Sequence, residues 1–155
     1  MMRAAVKARN ESALPKAQRP NLLGVTILTS MDNGALRAVG ISGPASSRAV
    51  KLAWLAQRAG LDGVVASPKE VRAIRRACGK GFLIVVPGVR PAVAGGSGRK
   101  VKRKADDQAR VATPAEAIRA GADYLVIGRP ITAAPDPQAA ALAILDEIGS
   151  ALPAN

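Results

Sequence analysis

The sequence has 155 residues, 48% of them hydrophobic, which suits a single globular domain with a sizeable core. Its formal net charge is +12, and it contains a single cysteine and no histidine. This composition excludes an internal disulfide and any catalytic pair that needs histidine, and it makes a metal site hard to build.

The basic balance indicates either an anionic partner or a solvated surface. Nucleic acid is not the expected partner, because base stacking uses aromatic side chains and the chain has only Trp54, Phe82 and Tyr124. The basic start of the chain lacks the long apolar stretch of a secretory signal, and no apolar run reaches the length of a membrane span. We therefore expect a soluble, cytoplasmic protein without a membrane segment.

Short apolar runs along the chain predict the buried strands of a sheet. Each run is too short for a helix and is rich in β-branched residues. In chain order they are Leu22–Leu28, Gly63–Ala66, Phe82–Val86 and Tyr124–Ile127.

Helical patterns separate these strands. One spans Ser46 to Ala59, and a capping box with proline at the first helical position begins another at Ser67–Glu70. The same signal recurs at Thr113–Glu116, and Asp136-Pro137 begins a last helix. The residues expected to face the core are Val50, Ala53, Trp54, Leu55, Ala56, Val71, Ile74, Cys78, Ala141, Leu145 and Ile148.

The alternation of strands and helices predicts the α/β class with a parallel sheet. Two segments repeat one pattern of helix end, glycine and strand, namely Ala59–Ala66 and Ala120–Ile127. Four βα units would form half of a TIM (β/α)8 barrel, and an open α/β sheet fits nearly as well. We expect one domain over residues 1–150, a flexible basic loop insertion at 92–105 and a tail at 151–155.

Glycine and arginine follow the last two predicted strands, at Pro87–Pro91 and Gly128–Thr132. A glycine lets backbone N–H groups approach a phosphate, and an arginine adds charge and a fork of donors. Barrel sites form at these strand ends, where the last two strands commonly hold phosphate. The alternative interpretation is a turn glycine beside a surface arginine.

Longer segments resemble orotidine 5′-phosphate decarboxylase, in the same order and over about residues 1–150. The segments are Val25–Ser30, Ala59–Val65, Pro87–Pro91, Asp106–Val111, Thr113–Tyr124 and Leu125–Thr132. The resemblance implies a partial barrel that corresponds to strands 5–8 of the family. It also implies a role in pyrimidine (UMP) biosynthesis, where orotidine 5′-phosphate becomes uridine 5′-phosphate and CO₂ without metal or organic cofactor.

The resemblance assigns phosphate contacts to residues near the chain's end. Gly128 and Arg129 match the family's terminal phosphate clamp. Gln108 matches the glutamine that reaches the phosphate and closes over the ligand, and Arg90 matches the strand-seven arginine. Each residue has a structural role as its alternative.

The resemblance also assigns a pyrimidine-side position and predicts that catalytic residues are absent. Thr29, with Ser30 beside it, matches the strand-five position near the pyrimidine. The family's catalytic strand has Asp-x-Lys-x-x-Asp followed by Ile-Pro-x-Thr, and no segment here has that pattern. Because Met2–Ala8 resembles the helix after strand four, we expect this chain to lack the family's first half and to be inactive or nearly so alone.

Four hypotheses about function follow. The leading one is a family member, a carboxy-lyase by descent. The second is a non-catalytic nucleotide- or phosphate-binding half-barrel that forms a homo-oligomer or pairs with a separate N-terminal half. The third, a barrel for another sugar phosphate, is disfavoured by the Asp106–Gln108 and Gly128–Thr132 patterns together. The fourth is a nucleic-acid binder that uses Arg99–Lys104, a run that could instead steer an anionic nucleotide or lie in a loop without ligand contact.

Overall fold

The structure, a computed structural model, describes residues 1–91 and 112–152. The predicted insertion at 92–105, the Arg99–Lys104 run and the segment Asp106–Val111 lie outside the described residues. The strands are β1 (Leu23–Val25), β2 (Gly63–Val65), β3 (Leu83–Pro87) and β4 (Tyr124–Val126). The helices are α1 (Met2–Glu11), α2 (Asn33–Ala38), α3 (Ala45–Arg58), α4 (Val71–Cys78), α5 (Pro114–Ala120), α6 (Arg129–Thr132) and α7 (Pro137–Gly149), with 3₁₀ turns at Lys16–Gln18 and Pro68–Glu70.

In the part of the chain that the structure describes, the strands form one parallel sheet in the order β1-β2-β3-β4. The register pairs Gly24 with Val64, Val64 with Ile84, and Val86 with Leu125. The predicted α/β class and parallel sheet are therefore confirmed, and the arrangement fits part of a (β/α)8 barrel. Each strand follows its neighbour in the chain, as it does in such a barrel.

One face of the sheet holds the hydrophobic core. Val64, Ile84 and Val86 point to this face and are fully buried. They pack in one cluster with small residues of α3, such as Ala53, and with apolar residues of α4, such as Ile74. The helices therefore cover the sheet on the side of these three residues.

The opposite face of the sheet is open. Side chains alternate between the two faces along a strand, so Val25 and Tyr124 point away from the core. The residues paired with them on the neighbouring strands, Val65 and Val85, point to the same second face. Val25 is 61% exposed and Tyr124 is 57% exposed. The prediction that β1 and β4 are buried strands is therefore wrong, because parallel strands are fully buried only where helices cover both faces. We call this surface the open face, formed by Leu23, Val25, Val65, Leu83, Val85, Pro87, Tyr124 and Val126.

Two helix faces differ from the prediction. On α3 the buried residues are alanines, including Ala49 and Ala53, whereas Trp54 is 42% exposed and lies 4.8 Å from the Arg58 guanidinium. On α7 the buried residue is Ile144, and Leu145 is 61% exposed. Small side chains let α3 approach the sheet closely, which leaves the large apolar residues at the margin of the contact. Leu55 on α3 is 39% exposed as well, so the predicted inward faces are wrong for Trp54, Leu55 and Leu145.

The predicted helix starts are partly confirmed. The full capping box forms at α5, where Thr113 Oγ1 accepts the Glu116 N–H at 3.1 Å and the Glu116 carboxylate accepts the Thr113 N–H at 2.9 Å. At Ser67 the side chain accepts the Lys69 N–H, and the chain first makes a 3₁₀ turn before α4 begins at Val71. In this tighter turn the Glu70 N–H donates to the Ser67 carbonyl. The Glu70 N–H therefore does not bond to the Ser67 side chain, and the predicted capping box does not form there.

Candidate functional site

The carboxyl ends of β3 and β4 meet at one edge of the sheet, because the strands are parallel neighbours. After β3 the chain turns at Gly88, whose φ of 75° lies in the left-handed region that favours glycine. Val89 then forms a parallel bridge to Ala112, and the Arg90 N–H donates to the Ala112 carbonyl at 2.9 Å. The backbone of Arg90 is therefore held in place just beyond the sheet.

After β4 the chain enters the short helix α6 at Gly128. The Gly128 carbonyl accepts the N–H groups of Ile131 at 2.8 Å and Thr132 at 3.0 Å. Among the described residues, no atom beyond the chain neighbours of Gly128 lies within 4 Å of the place that a β-carbon would occupy, so these residues leave the space in front of it open. Arg129 follows as the first residue of α6 and is exposed.

A cavity of about 340 Å³ lies between these two strand ends. It brings together Arg90, Gly128 and Arg129, three of the residues predicted to contact phosphate. The cavity therefore combines two guanidinium groups with an exposed glycine backbone, which is a favourable environment for an anion. Its lining residues are Pro87, Gly88, Val89, Arg90, Val126, Gly128, Arg129 and Pro130.

A smaller cavity of about 130 Å³ adjoins the first and shares Pro87 with it. Thr29 and Ser30 contribute hydroxyl groups to walls that are otherwise mostly apolar, and the remaining lining residues are Val25, Ile27, Leu28, Val65 and Ala66. Thr26 fixes this end of β1, since both its N–H and its Oγ1 bond to the Val65 carbonyl, at 3.1 and 3.0 Å. Five of the six predicted binding residues thus line these adjoining cavities, and the sixth, Gln108, lies outside the described residues.

The beginnings of the same strands are fixed by two aspartates that sequence reasoning did not single out. The Asp123 carboxylate accepts the Ile84 N–H at 2.7 Å, and the Asp62 carboxylate accepts the Leu22 N–H at 2.7 Å. Each aspartate also forms an ion pair, Asp123 with Arg75 and Asp62 with Arg9. The sequence indicates this shared role only through the glycine–x–aspartate pattern that the two repeated segments, Ala59–Ala66 and Ala120–Ile127, have in common.

Comparison with known proteins establishes the family. The chain matches the profile of the Orotidine 5'-phosphate decarboxylase / HUMPS family over residues 1–144. The chain belongs to this family. The resemblance inferred from the sequence segments is therefore confirmed.

Individual proteins that the chain resembles belong to the same family. A protein from Geotalea uraniireducens named orotidine 5'-phosphate decarboxylase is 60% identical over 131 residues, which cover 84% of this chain and 51% of that protein. One of the same name from Moorella thermoacetica is 58% identical over 146 residues, covering 94% and 54%. The crystal structure of the Lactobacillus acidophilus orotidine 5'-phosphate decarboxylase is 34% identical and superposes with a TM-score of 0.73, covering 96% and 58%. The chain spans a little over half the length of the relatives that it matches.

Other classes of site receive no support from the described part of the chain. Residues 1–91 and 112–152 contain no cluster of three or more His, Cys, Asp or Glu side chains that could hold a metal ion. No helix among these residues is long and apolar enough to cross a membrane.

Proposed function

We propose that this chain provides the phosphate- and nucleotide-binding part of an orotidine 5′-phosphate decarboxylase that acts in UMP synthesis. The observation that carries the proposal is the pair of adjoining cavities at the carboxyl ends of the strands, one with Arg90, Gly128 and Arg129 and the other with Thr29. Membership of the family supports it. The proposal places the enzyme in the cytoplasm and requires no metal or organic cofactor.

The larger cavity suits the phosphate of the nucleotide. Arg90 and Arg129 can offer charged N–H donors from two different strand ends, so an anion between them would be held from two sides. Because Gly128 has no side chain, the backbone at the start of α6 is accessible to phosphate oxygens. Phosphate commonly binds at the ends of the last two strands of a β/α barrel.

The smaller cavity suits the pyrimidine. A pyrimidine ring has flat apolar faces and a polar edge, which match a mostly apolar lining that also includes Thr29 and Ser30. Pro87 borders both cavities, so a ligand that bridges them would place its phosphate on one side of this residue and its base on the other. A nucleoside monophosphate has a phosphate at one end and a base at the other, as such a ligand requires.

The chemical step needs residues of another kind. In the family's mechanism a lysine delivers a proton to C6 while aspartates press against the departing carboxylate. No segment of these 155 residues has the Asp-x-Lys-x-x-Asp pattern that supplies those groups. The proposal therefore assigns binding to this chain and assigns proton delivery to a segment outside the 155 residues.

A second candidate function is a binding half-barrel without catalysis, and the open face favours it. Leu23, Val25, Tyr124 and Val126 are exposed on this face, although apolar surfaces of this extent on a sheet are normally covered. The covering partner would be either a second copy of the chain or a separate polypeptide that supplies the remaining strands. Uridine 5′-phosphate binding is expected in both candidates, and decarboxylation only in an assembly that includes the catalytic pattern.

Titration calorimetry on the 155-residue chain tests the proposal, with uridine 5′-phosphate and uridine as the two ligands. The monophosphate is expected to bind weakly and uridine at least ten-fold more weakly, since a charge-assisted hydrogen bond contributes about 1.5–3 kcal/mol. Ribose 5-phosphate serves as the control ligand for a sugar-phosphate site. Equal affinities for uridine and its monophosphate, or stronger binding of ribose 5-phosphate than of the nucleotide, would contradict the proposal.

A further inference from the structure

We infer that Asp123 is a positioning residue for the phosphate cavity, and that it acts by fixing the register between β3 and β4. The inference rests on the proposed function, because it concerns the same cavity. Asp123 lies at the beginning of β4, whereas Arg90 and Arg129 lie beyond the ends of β3 and β4. Its effect on the cavity must therefore pass along the strands.

The contacts of Asp123 pair it with a single residue of the neighbouring strand. Its backbone N–H donates to the Ile84 carbonyl at 3.0 Å, and its carboxylate Oδ2 accepts the Ile84 N–H at 2.7 Å. Both backbone hydrogen-bonding groups of Ile84 are thus bonded to Asp123. Because Ile84 is fully buried, these groups have no water to bond to, and a shift of β3 past β4 would break both bonds to Asp123.

Arg75 fixes Asp123 in turn. Its Nη2 lies 2.6 Å from the same Oδ2 of Asp123 and donates to the Gly121 carbonyl at 2.7 Å. Its Nη1 donates to the Phe82 carbonyl at 2.7 Å. One guanidinium therefore connects the residue before β3 with the turn before β4, and it holds the carboxylate in the position that meets the Ile84 N–H.

The register fixed at the beginning of β3 and β4 determines which residues of the two strands lie opposite each other at their carboxyl ends. Ile84 and Asp123 are 39 residues apart in the chain. The strand pairs that follow keep the same separation, as for Val85 with Tyr124 and Pro87 with Val126. Arg90 follows Pro87 by three residues and Arg129 follows Val126 by three residues, so this register sets where the two connections that carry the arginines leave the sheet, and both arginines line the cavity.

A change of register would separate the two arginines. A slip of two residues keeps side chains on their own face but moves one strand by roughly 7 Å along the other. A slip of one residue would turn every side chain of the moved strand to the opposite face. A phosphate held between two guanidinium groups tolerates neither displacement, because charge-assisted hydrogen bonds need donor–acceptor distances of about 2.7–2.9 Å.

Asp62 provides a matched control. It makes the same contacts on β1 and β2, since its N–H donates to the Leu22 carbonyl at 3.0 Å and its Oδ2 accepts the Leu22 N–H. Its ion-pair partner is Arg9, and its side chain is 29% exposed, against 32% for Asp123. This strand pair ends away from the two arginines, so loss of Asp62 should affect stability without affecting the phosphate cavity.

The test compares Asp123→Asn and Asp62→Asn in the full chain by the ratio of uridine 5′-phosphate affinity to uridine affinity. Both variants should unfold at a lower urea concentration than the parent chain. Asp123→Asn should lower the affinity ratio about ten-fold, as expected for the loss of one charge-assisted contact, whereas Asp62→Asn should leave it within about two-fold. An unchanged ratio in Asp123→Asn would overturn the inference. A parent chain that does not distinguish the two ligands would instead refute the proposed function itself.

Hydrogen exchange on the parent chain gives a second measurement that needs no variant. Coupling between register and phosphate binding is reciprocal, so uridine 5′-phosphate should slow exchange of the Ile84 N–H more than that of the Leu22 N–H. Uridine should not produce this difference. Equal protection of both amides by the monophosphate would mean that the ligand stabilises the whole fold, and Asp123 would then be a structural residue only.

Discussion

Gly63 in β2 lies so close to Leu83 in β3 that a β-carbon on Gly63 would be 2.4 Å from the Leu83 carbonyl oxygen. The same carbon would lie 2.5 Å from the Leu83 Cβ and 2.9 Å from the Leu23 Cδ2. Backbone atoms of a central strand cannot move aside as the end of a flexible side chain can. The absence of a side chain at Gly63 therefore lets the three neighbouring strands pack at their observed separation.

Gly63→Ala should destabilise the fold by about 1–3 kcal/mol or more, which is the usual cost of overpacking a core. Urea denaturation measures the loss. Gly81→Ala is the matched control, since no atom of residues 1–91 and 112–152 outside its chain neighbours lies within 4 Å of its added carbon. Its free energy of unfolding should change by no more than about 0.5 kcal/mol. Equal effects of the two substitutions would contradict the close contact at Gly63.

Cys78 is only 8% exposed, and burial raises the pKa of its thiol, an effect that the charge of nearby Arg75 offsets only in part. The thiolate is the reactive form, so iodoacetamide should label Cys78 slowly in the native chain and rapidly in urea. A raised pKa in the folded state also means that the neutral thiol favours folding below the unfolded pKa, and that this contribution is lost as pH rises through the folded pKa. Cys78 is the only cysteine in the sequence, so labelling reports on it alone. Rapid labelling of the native chain would contradict its burial.

The open face should cause self-association of the isolated chain, as a dimer or as larger aggregates, because its exposed apolar side chains belong to the outer strands of the sheet. Sedimentation velocity at micromolar concentration measures this. Lysine at both Val25 and Tyr124 should reduce association, whereas Val39→Lys should not, since Val39 is equally exposed but follows α2. A compact monomer of the parent chain would contradict the expectation.

The strands and capped helices could be predicted because their signals are local. β-branched runs mark β2 and β3, and the capping box at Thr113 involves residues three positions apart. The buried faces of α3 and α7 were harder to predict. The apolar pattern around Trp54 does not show how closely α3 packs on the sheet, and it is the small side chains of Ala53 and Ala56 that lie in the core cluster with the strands.

The candidate site was predictable in outline for a topological reason. Neighbouring parallel strands end at one edge, so residues after β3 and β4 must lie near each other, as Arg90 and Arg129 do. The roles of Asp62 and Asp123 were not predictable in the same way. The repeated segments Ala59–Ala66 and Ala120–Ile127 indicate that the two aspartates occupy equivalent positions. Their hydrogen-bond partners, however, lie about 40 residues away in the chain and become known only from the register of the strands.

The 155-residue chain alone should not decarboxylate orotidine 5′-phosphate above background. Binding at the strand ends cannot replace the proton donor and carboxylates of the Asp-x-Lys-x-x-Asp pattern, which the sequence does not contain. Loss of substrate absorbance, followed with purified chain, measures turnover. Addition of a polypeptide that contains the pattern and the remaining strands is the positive control, and turnover by the chain without it would contradict this assignment of roles.

The most direct test of the phosphate cavity compares Arg129→Ala with the parent chain by calorimetry, using uridine 5′-phosphate and uridine. Arg119→Ala is the matched control, because Arg119 is an exposed arginine on α5 that does not line the cavity. Arg129→Ala should weaken nucleotide binding roughly ten- to a hundred-fold, the loss of a charge-assisted hydrogen bond of about 1.5–3 kcal/mol, and should leave uridine binding almost unchanged. Equal losses for uridine and its monophosphate would mean that Arg129 supports the fold and does not hold phosphate.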